Sequence, residues 1–358
     1  DADHRNPCHR GQCGSSHYGD ASRIPQNGAQ SMSSSRIVVT GRIPDAGMEL
    51  LRGAGDVWAW DRDEPIPTSV RDEQLATAEG VLTLITERVD DAFLDAAPNV
   101  RIVANVAVGY NNIDVAACAG RGVVVTNTPG VLTAATADVA IALMLMTTRR
   151  LVEGDRLVRS GAPWEWGMFM MLGSAIEGRR LGVIGMGSIG TAIAERAIAF
   201  GMEVVYHNRR PVDPALERRL GAQLVTLDEL LATSHVVSLS CPYTPETHHL
   251  IDAAALDRMP TTSFLVNTAR GPIVDEAALV EALRSGSIAG AGLDVYEDEP
   301  EVHPGLRELD NVVLLPHLGS ATVEARDAMA TLAARNFVEV LAGNPPLTPV
   351  TGSPTTPT

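Results

Sequence analysis

Three residues suited to acid–base and anion-binding chemistry each follow a run of apolar residues. Arg270 comes after FLVNTA, Glu299 lies in GLDVYEDEP, and His317 comes after VVLLP. Arginine can clamp a carboxylate with its planar fork, and histidine can donate a proton to an oxygen and take it back. A carboxylate bonded to that histidine favours the protonated ring. Taken singly, the arginine could end a strand and the histidine could satisfy a core hydrogen bond, but together the three predict a catalytic set.

A glycine pattern that can wrap a phosphate lies upstream of these residues. Gly185, Gly187 and Gly190 form G-x-G-x-x-G between a short apolar run and an amphipathic helical pattern, Ser188–Phe200. The first glycine permits a tight turn, the second lets the backbone approach a pyrophosphate, and the third lets the helix pack closely on the strand. A purely structural turn is the alternative, but this context favours dinucleotide binding. The predicted cofactor-binding residues of the turn are Gly185, Met186, Gly187, Ser188, Ile189 and Gly190.

The identity of the dinucleotide depends on the end of the next strand, VVYHNRRP. A carboxylate about 20 residues after the glycines would accept hydrogen bonds from the ribose 2′-hydroxyl of NAD. This chain has Asn208 there, followed by Arg209 and Arg210. Two guanidinium groups can pair with a 2′-phosphate, although both arginines could also simply face solvent. The sequence therefore predicts that NADP(H) is preferred and that NAD(H) is possible.

Strands that alternate with helices must position these groups, and the chain contains two such series. The first runs over residues 36–126 and the second over residues 180–315. Alternation of this kind predicts parallel sheets with right-handed crossovers. The expected fold class is α/β, with two doubly wound parallel-sheet domains. Ligands bind beyond the carboxyl ends of such strands, so Arg270, Glu299 and His317 can converge there.

Two segments link the series, and a third follows them. Residues 133–160 form one long helical pattern that is apolar on more than one face, so we expect a helix buried between the domains. Residues 163–173, PWEWGMFMMLG, are irregular and apolar. We expect a loop packed on a domain or subunit surface, with a cover over the substrate as the alternative. A last helix is predicted over residues 323–342.

Composition narrows the function classes. The chain has 358 residues, 45% of them hydrophobic, and a net charge of −16. That charge argues against nucleic acid or an anionic membrane as a partner, but it leaves an anionic small molecule possible. The most apolar stretch, Val139 to Met146, is shorter than the roughly 20 residues that a bilayer requires. We therefore expect a cytoplasmic protein.

The ends of the chain and the cysteines complete this survey. Residues 1–35 are polar, without the apolar run of a signal peptide, so we expect a disordered tail and a natural start at Met32. Residues 346–358 are also expected to be disordered. Cys8 and Cys13, with His9 between them, resemble half of a metal site. No second pair of ligands lies nearby in the sequence, so no metal is expected.

Over residues 36–345 the sequence resembles the D-2-hydroxyacid dehydrogenase family. The resemblance is closest to its glyoxylate and hydroxypyruvate reductases, and it implies hydride transfer between a nicotinamide dinucleotide and C2 of a small 2-oxo or 2-hydroxy acid. The spacing of Arg270, Glu299 and His317 fits the Arg–Glu–His set of that family. The motifs that carry the resemblance are VGYNNIDV, NTPGVLTAATADVAIALML, GMGSIG, NTARGPIVDEAAL, GAGLDVYEDEP and PHLGSAT.

The resemblance implies further site residues. Val108 and Gly109 would offer backbone N–H groups to the substrate carboxylate, to which Arg270 also binds. The residues implied to contact the cofactor outside the glycine turn are Thr136, Asp294, which would hold the nicotinamide carboxamide, Thr268 and Gly319. Many relatives have Asp where this chain has Asn111, and we expect that position to shape its loop more than the chemistry.

The resemblance also implies how the chain is threaded. Residues 36–133 and 318–345 would form a flavodoxin-like substrate domain, and residues 134–317 a Rossmann cofactor domain inserted into it, with a hinge near Thr133 and Leu318. It further implies a homodimer. The alternatives are a dehydrogenase for a bulkier 2-oxo acid, oxidation of phosphite, and a nucleotide-sensing scaffold resembling the corepressors that share this fold.

Overall fold

The structure is a computed structural model that describes residues 35–357. Residues 1–34 of the expected tail, the start at Met32 and the Cys8–Cys13 pair lie outside the described residues. Ser35, which the sequence assigns to the tail, is the first residue of a strand. Between residues 35 and 357, no helix is both long and apolar enough to cross a membrane.

The first sheet has five parallel strands, and buried Val, Ile and Leu side chains explain most of them. Its spatial order, β2-β1-β3-β4-β5, is that of flavodoxin-like folds. β2 and α2 were not predicted from the sequence. β2 is an edge strand with no fully buried side chain, and Leu75 is the one buried residue of α2. The strands are β1 (Ser35–Val39), β2 (Gly55–Ala59), β3 (Gly80–Thr83), β4 (Ile102–Asn105) and β5 (Val124–Thr126). The helices are α1 (Asp45–Ala54), α2 (Thr68–Leu75), α3 (Asp91–Ala96) and α4 (Val115–Gly120).

The long helical pattern after β5 forms two helices, α5 (Thr133–Thr148) and α6 (Leu151–Arg159), so the prediction of one helix is wrong. Arg150, between them, has a left-handed backbone with a φ of 55°. The expected place between the domains is also wrong for most of α5. Its apolar residues join the core under the second sheet, and only Ala135, in the first turn, packs on the core of the first domain.

The second sheet has seven parallel strands in the order β12-β11-β10-β9-β6-β7-β8, the order of a Rossmann sheet extended by one strand. Its strands are β6 (Arg180–Ile184), β7 (Glu203–His207), β8 (Gln223–Leu224), β9 (Val236–Leu239), β10 (Phe264–Asn267), β11 (Gly290–Leu293) and β12 (Val312–Leu314). Its helices are α7 (Ser188–Ala199), α8 (Pro214–Leu220), α9 (Leu227–Thr233), α10 (Ala253–Arg258), α11 (Glu276–Ser285) and α12 (Pro304–Arg307). The predicted fold class, two parallel-sheet α/β domains, is confirmed.

The last helix, α13 (Val323–Leu341), returns to the first sheet, where it packs on α1 and on β3 and β4. Residues 346–358 are expected to be disordered, and this is wrong for the segment that contains Val350 and Ser353. Val350 is buried and donates from its backbone to Val125, and the Ser353 hydroxyl accepts from the Val125 amide. This segment binds there because β5 is an edge strand with unpaired backbone groups.

Candidate active site

His317 and Glu299 form a hydrogen-bonded pair at the carboxyl end of the second sheet. His317 Nδ1 lies 2.7 Å from Glu299 Oε2. The other carboxylate oxygen, Oε1, accepts a hydrogen bond of 2.9 Å from the backbone amide of Tyr296. An ionised Glu299 therefore accepts a hydrogen bond from the Nδ1–H group of His317. This leaves Nε2 as the nitrogen that can exchange a proton with a substrate.

The electrostatics of Glu299 favour its ionised form. Burial opposes ionisation, but the hydrogen bond and charge of His317, the amide of Tyr296 and the charge of Arg270 outweigh it. Together they hold the pKa of Glu299 below its ordinary value. A carboxylate that is ionised beside the ring can hold an acid–base histidine in position as it gains and loses a proton.

Asp294, which follows β11, holds the turn that carries His317. His317 has a left-handed backbone with a φ of 56°, and its amide donates to the carbonyl oxygen of Asp294 at 2.9 Å. The buried Asp294 carboxylate accepts from the amides of Leu318 at 2.6 Å and Gly319 at 2.7 Å. This anchoring role was missed, because the sequence gives no sign that the side chain turns back onto the backbone.

Arg270 follows β10 and meets the loop after β4 in the first domain. Its Nη1 donates to the carbonyl oxygen of Ala269 at 2.7 Å, and its Nε donates to Asn111 Oδ1 at 2.9 Å. A Cβ atom at Gly109 would overlap the guanidinium, so only glycine allows this approach. Asn111, which is expected to shape its loop more than the chemistry, also binds a predicted catalytic residue through its side chain.

The loop beside Arg270 presents two free backbone donors. The carbonyl oxygens of Val108 and Gly109 accept from Asn127 Nδ2 at 2.7 Å and from Asn105 Nδ2 at 3.0 Å. Neither amide N–H of this pair has a hydrogen-bond acceptor among residues 35–357. Two free N–H groups next to a guanidinium make a suitable site for a carboxylate. Sequence reasoning missed both asparagines that hold the loop.

The glycine turn connects β6 to α7, as predicted. Gly185 has a φ of 99°, and a Cβ atom there would overlap the backbone of Cys241. A Cβ atom at Gly190 would overlap the carbonyl oxygen of Gly185, so this glycine permits the close packing of helix on strand. Gly187 has open space around it, and Ser188 starts the 12-residue helix α7. These features fit the pyrophosphate of a dinucleotide.

Asn208 lies beside the glycine turn. Asn208 Oδ1 accepts from the Met186 amide at 2.7 Å, so the side chain supports the turn while its own amide N–H groups stay available.

Two other predicted cofactor contacts meet elsewhere at the same edge of the sheet, where the Thr136 hydroxyl donates to the Gly319 carbonyl at 3.0 Å. Thr268 contributes a buried hydroxyl with no partner among the described residues. A buried unpaired hydroxyl just after β10 fits the polar edge of a bound nicotinamide.

Two side chains outside the predicted set hold the segment that carries Glu299. The buried Glu276 carboxylate accepts from the amides of Glu297 at 2.8 Å and His303 at 3.3 Å. His249 Nε2 lies 2.6 Å from Glu297 Oε1, and its amide donates to Pro272, two residues after Arg270. Glu276 reads in the sequence as an ordinary acid in the first turn of a helix, so nothing signals this contact.

Comparisons with known proteins agree with this geometry. Residues 141–319 match the family model described as D-isomer specific 2-hydroxyacid dehydrogenase, NAD binding domain. The chain is 48% identical over 318 residues to a glyoxylate reductase of Thermococcus onnurineus, covering 87% of this chain and 95% of that protein.

Solved structures give the same result. A protein of Thermus thermophilus has a TM-score of 0.82 and 42% identity, covering 88% of this chain and 100% of that one. An NADPH-dependent glyoxylate/hydroxypyruvate reductase of Sinorhizobium meliloti, in complex with NADP and malonate, has a TM-score of 0.78 and 36% identity, covering 91% and 99%. The Rossmann topology, the glycine turn and these similarities lead to one assignment: the chain belongs to the D-isomer specific 2-hydroxyacid dehydrogenase family.

Proposed function

We propose that this chain reduces small 2-oxo acids, glyoxylate and hydroxypyruvate first among them, to the corresponding 2-hydroxy acids. The observation that carries the proposal is the His317–Glu299 pair at the same sheet edge as Arg270, whose guanidinium lies against two free backbone donors. The names of the relatives from Thermococcus onnurineus and Sinorhizobium meliloti support this substrate class.

Substrate binding and proton transfer are carried out by different residues. Arg270 and the amides of Val108 and Gly109 bind the carboxylate and orient the oxo group. His317 gives its Nε2 proton to the oxo oxygen, and Glu299 stabilises the charged ring before that transfer. A bound reduced nicotinamide supplies the hydride that C2 receives. In the opposite direction His317 takes the hydroxyl proton.

The test is steady-state turnover of NADPH and of NADH with glyoxylate, hydroxypyruvate, pyruvate and a bulkier 2-oxo acid. We expect the highest kcat/KM for glyoxylate and hydroxypyruvate, with NADPH. A preference for the bulkier acid would replace this substrate assignment. Absence of turnover with every acid would contradict the proposed function and favour phosphite oxidation or a nucleotide-sensing scaffold.

We propose NADP(H) as the preferred cofactor, held by Asn208, Arg209 and Arg210. Both arginines are exposed and neither forms a salt bridge within residues 35–357, although the charge of Arg209 acts on Glu246. Both guanidinium groups can therefore reach a 2′-phosphate. We expect the double replacement of Arg209 and Arg210 by Ser to raise the KM for NADPH at least about tenfold and leave the KM for NADH within about twofold. Arg307→Ser, at the opposite edge of the same sheet, is the matched control. Equal changes for both cofactors would contradict the assignment.

We further propose that the domain boundaries and hinge lie where the resemblance puts them, at residues 133–134 and 317–318. The return of α13 to the first sheet supports this division. Limited proteolysis tests it, since cuts confined to other segments would contradict these boundaries.

We also propose a homodimer in the cytoplasm. Trp166 and Phe169, in the loop 163–173, are 78% and 87% exposed, and an apolar loop of this kind favours burial against a second copy. Cys118 and Cys241 are both free, as expected in a reducing compartment. A monomeric mass in light scattering would contradict the dimer, and recovery outside the cytoplasmic fraction would contradict the location.

A further inference from the structure

We propose that Asn111 is a positioning residue that aims Arg270 from the opposite domain without pairing a carboxylate directly with the guanidinium. The inference rests on the proposed function and adds a determinant of substrate affinity to it. It starts from the hydrogen bond of 2.9 Å between Arg270 Nε and Asn111 Oδ1, which joins residues 159 positions apart.

The bond fixes the direction of the guanidinium. Arg270 Nη1 is held by the carbonyl oxygen of Ala269 and Nε by Asn111, on two different edges of the planar group. Nη2 then lies against Gly109, where the free amides of the loop also lie. Without the bond to Asn111, the one hydrogen bond left to orient the group among residues 35–357 would be that to its neighbour Ala269.

Asn111 is not needed to build its own loop. The neighbouring Asn112 anchors that loop, because its Nδ2 donates to the carbonyl oxygen of Glu87 at 2.9 Å and its own carbonyl oxygen accepts from the Val89 amide at 2.9 Å. Asn111 is exposed, and its one side-chain hydrogen-bond partner within residues 35–357 is Arg270. A residue that only shaped the loop would bond to the loop.

The amide also matters for charge. Both partners that accept hydrogen bonds from Arg270 are neutral, and no carboxylate lies within salt-bridge distance of it among the described residues. The charge of Glu299 acts on Arg270 from beyond that distance. A half-buried guanidinium with no directly paired carboxylate gains most when an anion binds. Aspartate at position 111 would keep the acceptor geometry but would partly neutralise Arg270 and repel a carboxylate.

The experiment compares Asn111→Asp and Asn111→Ala with Asn99→Asp as control. Asn99 is exposed before β4, at the other end of the strand that leads to the Asn111 loop, so it adds the same charge to the same domain. We expect Asn111→Asp to raise the KM for glyoxylate and the Kd for oxalate at least about tenfold, with kcat within about threefold. Asn111→Ala should instead lower kcat, since the group is charged but no longer aimed. The control should change neither.

Binding measurements separate this inference from the proposed function. The Kd of oxalate, measured by calorimetry, needs no turnover, so it still tests Asn111 if the wild-type protein reduces no acid. The Kd for NADPH should stay within about twofold in both variants, which shows that the cofactor domain is folded. The inference is overturned if both variants lower kcat alike with KM and the oxalate Kd unmoved, or if both lose thermal stability and NADPH binding together. Either result would assign Asn111 a purely structural role.

Discussion

Replacement of His317 by glutamine is expected to lower kcat for oxo-acid reduction by roughly 10²- to 10⁴-fold, the usual contribution of a positioned acid–base group. Glutamine keeps a hydrogen-bonding group of similar size but cannot deliver a proton. The KM for the oxo acid should change little, because Arg270 and the Val108–Gly109 amides bind the carboxylate. The measurement is steady-state kinetics in both directions. A variant with more than a tenth of the wild-type kcat would remove His317 from the reaction.

The pH dependence of kcat in the two directions tests whether His317 transfers a proton or has only a structural role. Reduction requires a protonated His317 and oxidation a neutral one, so reduction should fade and oxidation improve as pH rises. Glu299 stays ionised because its pKa is held below its ordinary value, by contacts with His317, Tyr296 and Arg270 that outweigh burial. Glu299→Gln replaces this ionised acceptor with a neutral amide, so we expect kcat for reduction to fall while the KM for the oxo acid stays within about threefold. An unchanged kcat would mean that Glu299 does not support the histidine.

Replacement of Arg270 by lysine is the second change for which we expect a large loss in kcat/KM. Lysine keeps a positive charge but lacks the planar guanidinium. That group can donate hydrogen bonds to Asn111, to Ala269 and to a substrate carboxylate at the same time. Complete loss of one partner of a hydrogen-bonded charge pair costs about 2–5 kcal/mol, which corresponds to roughly 30- to 5,000-fold in kcat/KM. Lysine keeps the charge, so its effect should fall in the lower part of that range. We expect most of the loss in KM, because the carboxylate is bound before and during the reaction.

Two controls make the Arg270 result specific. Arg307→Lys, an exposed arginine on α12, should leave kcat/KM unchanged. The KM for NADPH should also stay constant in the Arg270 variant, because the glycine turn lies on a different strand of the sheet. A loss confined to the cofactor, with the acid unaffected, would contradict the role given to Arg270.

Local patterns determined most of the fold and the types of residue in the site. Runs of Val, Ile and Leu between helical patterns predict parallel strands, because a strand buried on both faces must be apolar throughout. The turn from Gly185 to Gly190 could be recognised because its function depends on glycine at fixed spacing within one strand–helix unit. Edge elements such as β2 were missed, since their half-exposed side chains carry little of that signal.

Tertiary structure alone decided how the site is held together. The Asn111–Arg270 bond joins residues 159 positions apart, and the bonds of Asp294 to Leu318 and Gly319 bridge 24 and 25 positions. The docking of Val350 on β5 likewise depends on which strand is left at the edge of the sheet. Composition and periodicity report the environment of a residue, buried or exposed, but not its partner. Sequence therefore predicted which groups could react, whereas tertiary packing decided which asparagine bonds to the arginine and which aspartate holds the turn of the histidine.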